Sequence, residues 1–148
     1  MSIFNTMKVS ASGLAAERVR MDLIADNIAN VETTRTAQGG PYKRKMAVFA
    51  TKNNTSFSQM LKNETSRLLG VKVSRIVEDK SPSKLVYDPN HPDAFTEGDL
   101  EGYLALPNVD IVKEMVDMIG ASRAYEANVT VLNGAKTMAT KALEIGRG

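Results

Sequence analysis

The single histidine of the 148-residue sequence, His91, stands in Asp88-Pro89-Asn90-His91-Pro92-Asp93. Two carboxylates and an imidazole within six residues are donor types that a divalent cation accepts. Pro89 and Pro92 hold the run in an extended or tightly turned path that rarely wraps one ion, so a rigid turn is expected and no metal ligand is assigned. A Ser-His-Asp hydrolase would need a nucleophile on a glycine-flanked elbow, and the sequence has no such pattern, so no catalytic residue is assigned either. Zero cysteines removes disulfides, thiolate zinc sites, iron–sulfur clusters and cysteine nucleophiles together. Gly39-Gly40-Pro41 leads into a strand-like run rather than a helix, and GxxxxGK[ST] is absent, so a turn is expected there and no cofactor. Lys43-Arg44-Lys45, with Tyr42 and Phe49 close by, has the residue types of a single-strand nucleic-acid groove. Alternation along a strand would split those charges between two faces, and acids after Val77 offset them. A solvated or partner-facing strand is expected, and no nucleic-acid partner.

If these groups perform no catalysis, the elements that carry them become the subject. The chain is 43% apolar and 24% charged, which is globular, but only 5% aromatic and without tryptophan, so any core is built from aliphatics and the eight methionines. Its longest apolar run, Met46 to Ala50, is far short of a membrane span, and the first residues lack the pattern of a cleaved signal peptide. From about Asn5 to Val31 there is no proline, and Met7, Leu14, Met21 and Ile28 form an apolar heptad column flanked by Ile24 and Val31. Ser10 and Glu17 interrupt the companion column that begins at Ile3 and resumes at Ile24. From about Val109 to Ile145, after Pro107 and with Asn108 placed as a cap, Ile111, Met118, Tyr125, Leu132 and Ala139 form a second column. Met115, Val129 and Leu143 stand beside it. Val112, Val116 and Ile119 widen this stripe enough for two neighbours.

Between the helices lie six of the eight aromatics and four of the five prolines. Tyr42 to Ala50, Val71 to Val77, Lys84 to Tyr87 and Gly102 to Leu106 read as short strands, and Thr51 to Ser66 as a polar loop with one helical turn at Met60 and Leu61. The expected fold is mainly α with a small β domain: residues 1–36 an N-terminal helix, 37–106 an inserted β-rich segment, and 107–148 a C-terminal helix that pairs with the first as a coiled coil. Charge divides the middle segment. Residues 37–76 hold eight basic side chains against Glu64 alone, and residues 77–106 hold two lysines against seven acids. Adjoining halves of opposite sign suit a protein that meets a copy of itself, or a relative, side by side. Helices about 40 and 55 Å long would project beyond so small a β element and leave apolar stripes for other subunits to cover. On the residues alone, a helical hairpin packed on a β domain in a single monomer stays open beside this assembling structural protein.

Ser12-Gly13-Leu14-Ala15-Ala16-Glu17 and Asp26-Asn27-Ile28-Ala29-Asn30-Val31-Glu32-Thr33 resemble the N-terminal signature of the bacterial flagellar axial proteins, the rod, hook and hook-associated group. Its usual core is Ala-Asn-x-Asn-Thr, with Glu32 here in place of the second asparagine. Glu114-Met115-Val116-Asp117-Met118-Ile119 and Ser122-Arg123-Ala124-Tyr125-Glu126-Ala127-Asn128 are similar to the C-terminal signature of the same group. Gly40-Pro41-Tyr42 and Tyr87-Asp88-Pro89-Asn90-His91-Pro92-Asp93-Ala94 are similar to stretches that mark a short proximal-rod member.

The resemblance implies a structural subunit, not an enzyme, that assembles through its terminal helices into the tubular drive shaft of the basal body, transmits torque and encloses the export channel. It implies synthesis in the cytoplasm, passage through the flagellar type III export apparatus without a cleaved signal peptide, and a place in the periplasmic rod. Implied partners are further copies, other rod proteins and the base that joins rod to inner-membrane ring. A cytoplasmic coiled-coil adaptor or flagellar export chaperone is the alternative. Subunit contacts are expected at Met7, Leu14, Met21, Ile24, Ile28 and Val31 on the first helix. On the second they are expected at Ile111, Met115, Met118, Tyr125, Val129, Leu132 and Leu143.

Overall fold

A computed structural model describes residues 3–52 and 70–146. The polar loop expected after Thr51, with its helical turn at Met60 and Leu61, lies outside the described residues apart from its first positions. The order is α1 (Ile3–Ala29), β1 (Lys45–Thr51), β2 (Val71–Glu78), β3 (Lys84–Tyr87), β4 (Tyr103–Leu106) and α2 (Ile111–Ile145). Two long helices thus enclose two small sheets in sequence, the mainly helical fold with a short β segment that the apolar periodicities predict.

The helix ends are set by side chains. At the end of α1, Asn30 donates from Nδ2 to the Asp26 carbonyl at 2.9 Å, and its own Oδ1 accepts the Thr33 hydroxyl at 3.2 Å. This turns the chain out of the helix before Val31, two residues earlier than the apolar pattern suggested. At the start of α2 the cap is Asp110, whose Oδ1 accepts the amides of Val112 at 2.9 Å and Lys113 at 3.3 Å. Asn108, expected in that role, does other work. Its Oδ1 accepts the Arg44 amide at 2.8 Å, and its Nδ2 donates to the carbonyls of Asp79 and Ser81. A cap must lie next to the first turn, and Asn108 is two residues too early.

β1 and β2 form one two-stranded sheet, and β3 and β4 another. The second is antiparallel with Tyr87 opposite Tyr103 and Val86 opposite Leu104. The chain resolves into two compact units, each taking pieces from both helices and from the middle of the sequence. One comprises residues 1–21, 47–75 and 120–148. There Ser12 joins α1 to the start of β2: its hydroxyl donates to the Val9 carbonyl at 2.7 Å and accepts the Val71 amide at 3.0 Å. Gly13 faces Asn128 so closely that a Cβ would lie 3.1 Å from the amide oxygen and nitrogen. The other unit comprises residues 22–46 and 76–119 and contains both β3 and β4.

Buried apolar side chains among the described residues are few, and three of the seven are alanines: Ala16, Leu23, Ile24, Tyr42, Leu104, Ala121 and Ala135. On α2 the buried positions Glu114, Ala121 and Ala135 fall on one heptad line, with half-buried Asn128 between them. This line lies one residue before the expected column of Met115 and Val129. On α1 the interrupting Ser10 is itself buried, in the same heptad column as buried Ile24. On α2 small and polar residues therefore occupy the inward side, and many of the large aliphatics face out.

Candidate functional site: a buried polar junction and an uncovered helix face

Asn27, in the last turns of α1, is 1% exposed. Its Nδ2 donates to the Lys45 carbonyl and to Glu114 Oε2, both at 3.0 Å. Its Oδ1 accepts the Lys45 amide at 2.9 Å and the Tyr42 hydroxyl at 3.0 Å. Both donors and both lone pairs are used, which fixes the amide's orientation. Glu114, in the first turns of α2, is 0% exposed and takes Arg44 Nε on its other oxygen at 2.5 Å. The Arg44 guanidinium continues to Asp117 Oδ2 at 3.2 Å and to Met46 Sδ at 3.1 Å. A buried carboxylate is tolerable only with such charge-assisted partners, and here it has two.

Tyr42 completes the junction. Its amide donates to the Thr33 carbonyl at 3.0 Å, and Lys45 Nζ lies 5.4 Å from its ring centre. Burial pushes its phenol above the usual value, with the carboxylates of Asp26, Glu114 and Glu78 adding to the effect. Gly39 and Gly40, at φ +87° and +74°, form the expected turn just before it, closed by the Thr36 amide on the Gly40 carbonyl. The basic cluster was read as a solvated or partner-facing strand. Arg44 departs from that reading: its side chain is 13% exposed, and its charge is neutralised within the chain by Glu114 and Asp117. The signal in the sequence was Glu114 between the apolar positions Ile111 and Met115, an acid that needs a cation to be buried.

The Asp88-to-Asp93 run is the rigid turn expected. His91 Nδ1 accepts the Asp93 amide at 3.1 Å, and Asp88 Oδ1 accepts the Asn90 amide at 3.2 Å. Asp93 Oδ2 accepts the Thr34 hydroxyl at 2.7 Å, tying this turn to the segment after α1. Among the described residues no three metal-ligating side chains gather in one place. Among the described residues no helix is long and apolar enough to cross a membrane.

The expected contact residues fall into three groups. Ile24 is buried; Met7, Leu14, Met21, Ile28, Val31, Met118, Tyr125, Val129 and Leu132 are half-buried; Ile111, Met115 and Leu143 are exposed. Of the motif residues, Asn27 and Glu114 meet in the junction, Asn30 and Thr33 close α1, and Asn128 faces Gly13. Ala29 and Arg123 are exposed. Val112, Met115, Val116 and Ile119, at the i, i+3, i+4, i+7 spacing of one helix face, are all more than half exposed, Val116 at 63%. No pattern of polar side chains accompanies that face; what it offers is apolar area.

Residues 7–35 match the family described as "Flagella basal body rod protein", and residues 100–145 match "Flagellar basal body rod FlgEFG protein C-terminal". The chain is 49% identical to the flagellar basal-body rod protein FlgC of Borreliella burgdorferi, with 100% of each chain covered. It is also 49% identical to FlgC of Bacillus subtilis, covering 99% of this chain and 100% of that one. FlgC of Salmonella typhimurium is 38% identical, again over 99% of this chain and 100% of the relative.

Proposed function

Because the chain belongs to the FlgC family of flagellar basal-body rod proteins, and is therefore a structural subunit of the rod rather than an enzyme, we propose that its terminal helices assemble by burying their uncovered apolar faces on neighbouring subunits. The observation that carries this reading is the Val112, Met115, Val116 and Ile119 face of α2. Each such side chain gains about 1.5–3 kcal/mol on full burial, so the four together can drive an association that the small internal core cannot use. The half-buried heptad residues Met7, Leu14 and Met21 on α1, and Met118, Tyr125 and Leu132 on α2, supply the rest of the coiled-coil contact.

The neighbours are other copies of this chain and other rod proteins, and the base that joins the rod to the inner-membrane ring. The route to them is the flagellar type III export apparatus, with the N-terminus retained. Nothing in the family matches favours the cytoplasmic adaptor or export chaperone. Val116→Asp tests the assembly reading, because the site is exposed and a charge there leaves the isolated fold within about 0.5 kcal/mol of wild type. The expected result is a stable, exported protein missing from purified basal bodies, in cells that do not swim. Normal incorporation of the variant would overturn the reading. N-terminal sequencing of rod-incorporated protein checks the route: a start beyond the first two residues would exclude a retained N-terminus.

A further inference from the structure

The β3–β4 ribbon has two faces of different character. Val86 and its partner Leu104 lie on one, and Leu104 is buried. Leu85, Tyr87 and Tyr103 alternate onto the other, where Tyr87 is 64% exposed. The outward side of an antiparallel ribbon is ordinarily polar, so an aromatic and aliphatic outer face is an uncovered surface. Its shape is fixed. Tyr87 and Tyr103 meet edge to face with ring centres 5.3 Å apart, and Gly102, at φ +78°, lies so near that a Cβ would sit 2.8 Å from the Tyr87 ring. Exposed Glu97, Asp99 and Glu101 lie in the loop that feeds β4 and give this face an acidic rim.

The exposed side of β2 has the opposite chemistry. Lys72, Ser74 and Ile76 alternate onto one exposed face, Arg75 is exposed on the other face of the strand, and Lys52 is exposed as well. Arg44 is committed to Glu114 and Asp117, but none of these other cations forms an ion pair with a described residue.

We propose that the outer face of β3–β4 receives the Lys72-to-Ile76 face of a second copy of this chain, with Ile76 against Tyr87 and Leu85, and Lys72 against Asp99 and Glu101. Charge complementarity selects the occupant. An acidic rim repels phosphate-bearing surfaces, and two β3–β4 faces meeting each other would set acid against acid. The contact joins unlike patches, so it is head-to-tail and leaves one free patch of each kind, which is the geometry of an open helical array rather than a closed dimer. The inference rests on the rod-subunit reading and adds the lateral contact to it.

The chain has no cysteine, which gives a clean background for cross-linking. Two differently tagged full-length chains, one Tyr87→Cys and one Ile76→Cys, are expressed together in cells lacking the native copy, and purified basal bodies are treated with a short bis-maleimide. Leu85→Cys replaces Tyr87→Cys if loss of the ring contact prevents folding. A mixed dimer exceeding either homodimer about tenfold is expected. Asp99→Lys with Glu101→Lys should reduce it at least about tenfold, and Lys72→Glu on the other chain should restore it in part. Equal homodimers, cross-links only to a different rod protein, or no cross-link while both chains are present in the basal bodies would each overturn the proposal. Absence of both chains from basal bodies would instead overturn the rod-subunit reading.

Discussion

Asn27 and Glu114, 87 positions apart in the sequence, share a 3.0 Å hydrogen bond where neither side chain has appreciable contact with solvent. One belongs to each long helix, and Arg44 holds the other carboxylate oxygen. Truncating Glu114→Ala leaves a guanidinium with only Asp117 for a charged partner and an asparagine with an unfilled donor. The expected loss is about 3 kcal/mol in urea denaturation, at the lower end for a broken buried pair because Asp117 remains. Arg44→Met combined with Glu114→Met should be closer to wild type than either single change. Simple additivity of the two would exclude the pair as the cause.

Gly70 precedes β2 with φ +111°, and a Cβ there would fall 2.0 Å from Ser12 Oγ. Gly70→Ala therefore combines backbone strain of roughly 1 kcal/mol or more with displacement of the hydroxyl that receives the Val71 amide. A drop of about 2 kcal/mol is expected, and a smaller one in a Ser12→Ala background because the two sites share a contact. An unchanged urea midpoint for Gly70→Ala would contradict this account of the clip.

Much of the architecture was legible in the sequence because periodicity survives without tertiary information. Both helices, the short strands Lys84 to Tyr87 and Gly102 to Leu106, and the turn around His91 follow from heptads, β-branched runs and proline. The inward line of α2 did not follow. Apolarity is a poor guide to the buried face when small residues such as Ala121 and Ala135 allow close packing and the large ones are left uncovered. The junction was legible only in part: Asn27, Glu114 and Tyr42 stood out within motifs, whereas Arg44 was hidden in a basic cluster that pattern alone assigns to the surface. Asp110 rather than Asn108 caps α2 because capping depends on a single position, and periodicity fixes helix ends only to within a few residues.

The raised Tyr42 phenol has a definite sign in alkali. In the unfolded chain it ionises at its usual value of 10.0, and in the folded chain later, because the site is buried and faces carboxylates. Its contribution is complete below about pH 10 and is lost as pH rises through the raised folded value. Absorbance titration should show a tyrosine step above 10.0, and Tyr42→Phe should remove that late step. A late step retained in the Tyr42→Phe protein would assign it to another residue.

Asp79 behaves oppositely. The Ser81 hydroxyl at 2.6 Å and amide at 2.9 Å hold its carboxyl below the usual 3.8. The turn is intact above the unfolded value and is lost as pH falls through the lowered one. Ser81→Ala should move the Asp79 titration, followed by carboxyl chemical shift, back toward 3.8, and no movement would mean that another donor sets it.

An amide whose two donors and two acceptors are all engaged can neither swing nor flip without breaking bonds on more than one side. Asn27 therefore behaves as a rivet between α1, the Lys45 backbone and α2. In a rod subunit, separate segments of one chain are pinned against sliding where directional bonds join them, and apolar contacts add packing without fixing a direction. The junction thus adds bonds of fixed direction where the small hydrophobic core supplies only area.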